Sequence, residues 1–95
     1  MPPIEQVYEQ IVGFAQARGA RRVVLYGSRA RGVAGPRSDI DLAVEGCSDY
    51  AGFVDDMQER LWSLLKVDVV NLDGAVSETL RADIDRDGKV LYEAL

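Results

Sequence analysis

The side chains able to do chemistry here are mostly acids, because the sequence contains no histidine and one cysteine, Cys47. That composition excludes Ser-His-Asp and Cys-His nucleophiles and any histidine-based zinc centre. Asp39 and Asp41 stand either side of Ile40 at the start of an apolar run, Ile40-Asp-Leu-Ala-Val44, that reads as a strand. Residues two apart on a strand share a face, so the two carboxylates project together from Cα atoms roughly 6.5–7 Å apart. Two anions held so close repel, and the pKa of one rises unless a cation lies between them. Oxygen donors of this kind suit Mg²⁺, which keeps waters and substrate phosphates in its remaining positions. A third acid, Asp68, interrupts another strand-like run, Lys66-Val-Asp-Val-Val-Asn-Leu72. If the two strands are neighbours, three carboxylates converge, enough for two metals about 3.5–4 Å apart in an in-line displacement at phosphorus.

Upstream, Val23-Val-Leu-Tyr26 is an apolar run stopped by Gly27-Ser28, a strand followed by a sharp turn. Ser28 is suited to cap a helix start, where exposed amides favour an anion, and Arg29 and Arg31 add positive charge. Plainer assignments exist for each residue. Gly27-Ser28 also serves as a simple capped turn, Asp39 as a turn cap, Asp41 as a solvent-facing acid and Asp68 as an exposed strand acid paired with Lys or Arg. Arg31 has a structural alternative as the partner of a neighbouring carboxylate.

The spacing of Gly27-Ser28 from Asp39-Ile40-Asp41, with the later Val67-Asp68-Val69, resembles the polymerase-beta-like nucleotidyltransferase superfamily. The nearest likeness is to its minimal (MNT-type) members, small domains often partnered with HEPN-domain proteins in toxin–antitoxin pairs. The likeness takes in Tyr26, Arg29-Ala-Arg31-Gly32, the segment from Val69 to Asp73, and the ending from Thr79 to Glu93. It implies that Gly27 and Ser28 hold the triphosphate, that Asp39 and Asp41 hold Mg²⁺, and that Asp68 helps activate the attacking hydroxyl; the charges of Arg29 and Arg31 add to the phosphate site and the convergence of Asp68 adds it to the metal ligands. The implied reaction moves AMP from ATP to a hydroxyl of a partner protein, with a HEPN-type toxin as the favoured acceptor. Two other readings stay open: a non-catalytic antitoxin that acts by occlusion, and a transferase for a small molecule such as an aminoglycoside.

These residues need a scaffold. Ninety-five residues, 47% of them hydrophobic, predict one compact domain over 1–95 and no second module. Residues 4–18 predict a helix with Ile4, Val7, Tyr8, Ile11, Phe14 and Ala15 as its apolar stripe, ended by Gly19. Strands are expected near 21–26, 39–45 and 67–72. The loop 32–38 is a connector or a mobile flap bringing Arg37 or Ser38 to the triphosphate. A helix capped by Ser48 or Asp49 is expected to reach about residue 65, burying Phe53, Met57, Leu61, Leu64 and Leu65, with Trp62 off that line and Asp55, Asp56, Glu59 and Arg60 solvated. A last helix spans about 76–86, and Gly88 precedes a short edge strand at 90–92. The run from Asp83 to Val90 opens like an EF-hand loop, but Ala94 stands where that loop needs a bidentate Glu. The predicted fold is α/β, a small mixed sheet flanked by helices; the mixed direction and the short helix after Gly-Ser come from the resemblance.

The net charge of −5 with no basic run argues against a direct nucleic-acid grip. One cysteine allows no intrachain disulfide. No secretory or membrane-spanning run is found, so a cytoplasmic location without membrane contact is expected. The expected ligands are Mg²⁺, two ions, and ATP, and a homo-oligomer is left open.

Overall fold

The computed structural model describes residues 2–95. Helix α1 (Ile4–Ala17) begins after Pro3, whose carbonyl accepts from the Gln6 and Val7 amides. Val7, Ile11 and Ala15, four apart, form its buried stripe. Gly19 ends it with φ 71°, a conformation a side chain resists. The chain then runs through β1 (Arg22–Tyr26), α2 (Gly27–Arg31), β2 (Ile40–Glu45), α3 (Tyr50–Asp55), β3 (Val67–Asn71), α4 (Glu78–Asp87) and β4 (Lys89–Glu93).

The sheet order is β3-β2-β1-β4. β1 is antiparallel to both β2 and β4, whereas β2 and β3 run parallel. This is the mixed sheet expected from the resemblance, and β4 extends the expected edge strand to five residues. Strand alternation splits the sheet into unequal faces. Val23, Leu25, Ile40, Leu42 and Val44 pack with α1, Phe53 and Met57 into the larger core. The other face carries a small cluster of Val24, Ala43, Leu72 and Ile84 beneath α4. Asp41, next to Ile40 and Leu42 in sequence, therefore projects on this thinner side.

The second long helix departs from expectation. α3 is capped by Asp49, whose carboxylate accepts from the Gly52 amide at 3.0 Å, but it widens into a π-helical turn over Asp56–Arg60 and stops. Leu61 is extended, at φ −68° and ψ 124°. Two polar interactions override the apolar periodicity here. Asp56, expected in solvent, is buried at 1% exposure and accepts from Arg18 Nε at 2.8 Å and Nη2 at 3.0 Å. Gln10 of α1 then grips the Trp62 backbone, accepting from its amide at 2.8 Å and donating to its carbonyl at 3.2 Å. As a result Leu64 is not core but 88% exposed, and Trp62 is 70% exposed.

Ser77 caps α4 by accepting from the Leu80 amide at 3.1 Å. Gly88 ends it without a left-handed turn: a Cβ there would strike the Ile84 carbonyl and the Val24 side chain. Asp83 and Asp85 of the EF-hand-like run lie within α4, where Asp83 pairs with Arg86 at 3.0 Å. No helix among the described residues is long and apolar enough to cross a membrane.

Candidate active site

Two registers assemble the site. Asp41 is the cross-strand partner of Tyr26 on one side and of Asp68 on the other, so Tyr26, Asp41 and Asp68 form a row across β1, β2 and β3. Parallel pairing makes the acids neighbours although 26 residues separate them in sequence, and the thin side of the sheet leaves them uncapped by the main core. Asp39 sits one residue before β2 and is exposed. Asp41 is half-buried, and burial raises its carboxyl pKa, with the charges of Asp68 and Asp39 adding to the effect and Arg31 and Lys66 opposing it. The same burial, with Asp41 and Asp68, pushes the Tyr26 phenol up.

Gly27 follows directly from β1 with φ 74°. A Cβ at this position would collide with the Asp41 carboxylate, so glycine is required both by the turn and by the closeness of the acid. Ser28 is not the helix cap expected from sequence. α2 starts at Gly27, its cap position is Tyr26, two residues before Ser28, and Ser28 lies in the first turn, half-buried. Gly32 closes α2 in the left-handed conformation, φ 75°.

The two arginines of α2 do different things. Arg29 donates from Nε and Nη2 to the Ser38 carbonyl at 3.1 and 2.8 Å, and from Nη2 to the Pro36 carbonyl at 3.4 Å. Its guanidinium thus ties down the 32–38 loop, which is further closed by Ser38 Oγ accepting from the Gly35 amide at 2.9 Å. Arg31 is exposed and near enough to Asp41 and Asp87 for its charge to oppose the rise of the first carboxyl and to add to the lowering of the second, where the hydrogen bond from Arg86 is the larger cause.

Lys66 is the functional candidate that sequence reasoning passed over. Its Nζ lies 3.5 Å from Asp68 Oδ1, and it lines an open cleft of about 620 Å³ with Arg37, Asp39, Leu64 and Leu65. The signal was present: Lys66 and Asp68 are two apart in an extended segment, so they share a face.

The three acids do not form a closed cage, since among the described residues no three acidic or sulfur side chains converge tightly enough to hold a metal ion. The donor set still fits Mg²⁺. Asp41 and Asp68 offer hard oxygens whose negative charge Arg31 and Lys66 compensate only in part, and Mg²⁺ is held by one or two carboxylates completed by water and substrate phosphates.

A small mixed sheet whose first strand turns through a glycine against paired carboxylates on the next strands has the architecture of a nucleotidyltransferase domain. The sequence family described as polymerase beta, nucleotidyltransferase matches residues 9–94, and the chain belongs to that family. No curated protein sequence matches it. Among solved structures, it is similar to a chain of a toxin–antitoxin complex with AMP-PNP, at 26% identity and TM-score 0.73, covering 92% of this chain and 73% of that one. It is also similar to a chain in the complex of a tri-AMPylated Shewanella oneidensis HEPN toxin with its MNT antitoxin, at 23% identity and TM-score 0.67, covering 95% and 72%. An MntA–HepT toxin–antitoxin complex gives 23% identity and TM-score 0.67, covering 95% and 73%.

Proposed function

We propose that this domain transfers AMP from ATP to a hydroxyl of a HEPN-type partner protein, with Mg²⁺, and acts as the antitoxin of the pair. The observation that carries the reading is the in-register pairing of Asp41 with Asp68, whose charge lies beside the Gly27 turn without full compensation. The likeness to a toxin–antitoxin chain solved with AMP-PNP supports ATP as the donor.

In this reading Asp39, Asp41 and Asp68 would hold Mg²⁺, which would supply positive charge to the phosphates and to the leaving oxygen. Gly27 lets the turn approach the acids without a side chain between them, and Ser28 and Arg31 contribute a hydroxyl and a positive charge on the β1 side for the triphosphate. Arg29 acts indirectly, by fixing the loop that delivers the chain to Asp39. Asp68, on the β3 side, is the proton acceptor for the attacking hydroxyl in this reading. That oxygen forms a bond to the α-phosphorus, the bond from the α-phosphorus to its bridging oxygen breaks, and pyrophosphate departs. Most of the rate gain in such a site comes from positioning and charge stabilisation.

The test compares α- and γ-labelled ATP with Mg²⁺ and the cognate HEPN-domain protein. The reading expects α-label alone on the partner, and its loss in Asp41→Asn. Absence of label in a tight complex would favour neutralisation by occlusion, in which case Asp41→Asn would still neutralise the partner.

A further inference from the structure

The segment 61–65 is too well held, and too apolar, for a simple connector. Trp62 and Leu64 present large apolar side chains to solvent at 70% and 88% exposure. Leaving such groups in water forgoes the favourable transfer of apolar surface out of water. They are not exposed by fraying. Both polar atoms of the Gln10 amide bond the Trp62 backbone, as a neighbouring strand would, and Ser63 Oγ accepts from the Leu65 amide at 3.1 Å. A tryptophan on an anchored backbone lowers the ordering cost of association, and tryptophan is among the side chains enriched in binding hot spots.

The position of the segment identifies its occupant. Leu64 and Leu65 line the cleft that also contains Asp39 and Lys66, and Lys66 pairs with Asp68. In the order β3-β2-β1, this places the segment on the β3 side of Asp41, whereas Gly27 and its turn lie on the β1 side. The Gly27 turn and the segment therefore lie on opposite sides of Asp41 along the sheet. Arg37 and Lys66 edge the cleft in a chain of net charge −5, so an apolar group accompanied by a carboxylate complements it. A second copy of this chain, equally acidic, is disfavoured by the same charge, and two cations beside Asp39 are too few to grip nucleic acid.

We infer that Trp62 and Leu64 form the docking surface for the acceptor protein, receiving an apolar, acid-flanked segment that brings its hydroxyl to Asp68. This rests on the protein-acceptor reading above.

The experiment measures label transfer from α-labelled ATP to the cognate HEPN-domain protein as a function of its concentration. It uses the unmodified protein, the double substitution Trp62→Ala/Leu64→Ser, and Gln10→Ala, with MgATP affinity measured separately and melting curves confirming the fold. The double substitution is expected to raise the acceptor KM about tenfold or more while MgATP affinity stays within about twofold. Gln10→Ala, which releases the Trp62 backbone, is expected to raise it about threefold. An acceptor KM unchanged by the double substitution overturns the surface and leaves the transfer reading intact. If the unmodified protein transfers no label, the transfer reading fails and complex formation by the same two proteins decides the surface. Weakened binding by the double substitution then supports it, and equal binding or no binding overturns it.

Discussion

Asp41 and Asp56 are both withdrawn from solvent, and the protein treats them in opposite ways. Asp56 is 1% exposed, yet the Arg18 guanidinium hydrogen-bonded to it, with Arg60 3.4 Å away, holds its carboxyl below the ordinary range. Asp41 is only half-buried, yet burial, Asp68 and Asp39 push its carboxyl up, and Arg31 and Lys66 only partly offset them. The first acid has its charge answered within the fold and joins α1 to the end of α3. The second is left short of positive charge, a condition that favours a cation arriving with a ligand. Depth alone does not set the direction in which an acid is pushed; the balance of neighbouring charge does.

The largest expected effect breaks the comparison at its functional end. Asp41→Asn should lower nucleotide transfer by at least about 10²–10³-fold, whereas Asp56→Asn should leave the rate per folded molecule within about twofold. Initial rates normalised to folded protein check both. At the structural end, Asp56→Ala should cost about 2–3 kcal/mol, through loss of hydrogen bonds to a charged partner. For a domain of this size that lowers Tm by about 10–20 °C, measured by thermal denaturation.

Gly27→Ala tests whether turn and acid are built together. It places a side chain at positive φ and against the Asp41 carboxylate, so a loss of about 1–2 kcal/mol of stability is expected together with weakened MgATP binding. Chemical denaturation and calorimetry separate the two effects.

The smallest effect concerns pH in metal-free protein. A carboxyl whose folded pKa is raised destabilises the fold when ionised, fully above that folded pKa, and the burden lifts as pH falls through it. Asp41→Asn should therefore raise Tm slightly at neutral pH in EDTA, and the gain should fade on acidification. Asp56 has the opposite sign. Its stabilisation is complete above the ordinary carboxyl pKa and is lost as pH falls through its depressed value, so the deficit of Asp56→Asn should shrink only in stronger acid.

The part of this comparison that was legible in the sequence is the part set by local pattern. Ile40 and Leu42 around Asp41, and Val67 and Val69 around Asp68, place each acid on the face opposite the larger core by period two alone. Their meeting across parallel strands was expected only as a condition, because register depends on long-range pairing. Lys66 obeyed the same period and was overlooked. Asp56 was illegible: on a helix it shares its charge pattern with Asp55 and Glu59, and only the packing of α1 brings Arg18, 38 residues away, onto it. The early end of α3 was hidden for a related reason, since Gln10 reaches the Trp62 backbone from 52 residues away while Leu64 and Leu65 continue an apolar stripe. Ser28 misled because a serine after a turn glycine fits a cap, whereas the helix begins at Gly27, two residues sooner than a Ser28 cap would start it.

The central claim is that the acid row at Asp41 and Asp68 binds a nucleotide through a divalent cation, and ATP-binding calorimetry tests it most directly. Titrations would cover the unmodified protein, Asp41→Asn and Asp56→Asn, each with Mg²⁺ and with EDTA. ATP binding that requires Mg²⁺, is lost in Asp41→Asn and is kept in folded Asp56→Asn is the predicted result. Binding of equal strength in EDTA, or undiminished in Asp41→Asn with Mg²⁺, would contradict it.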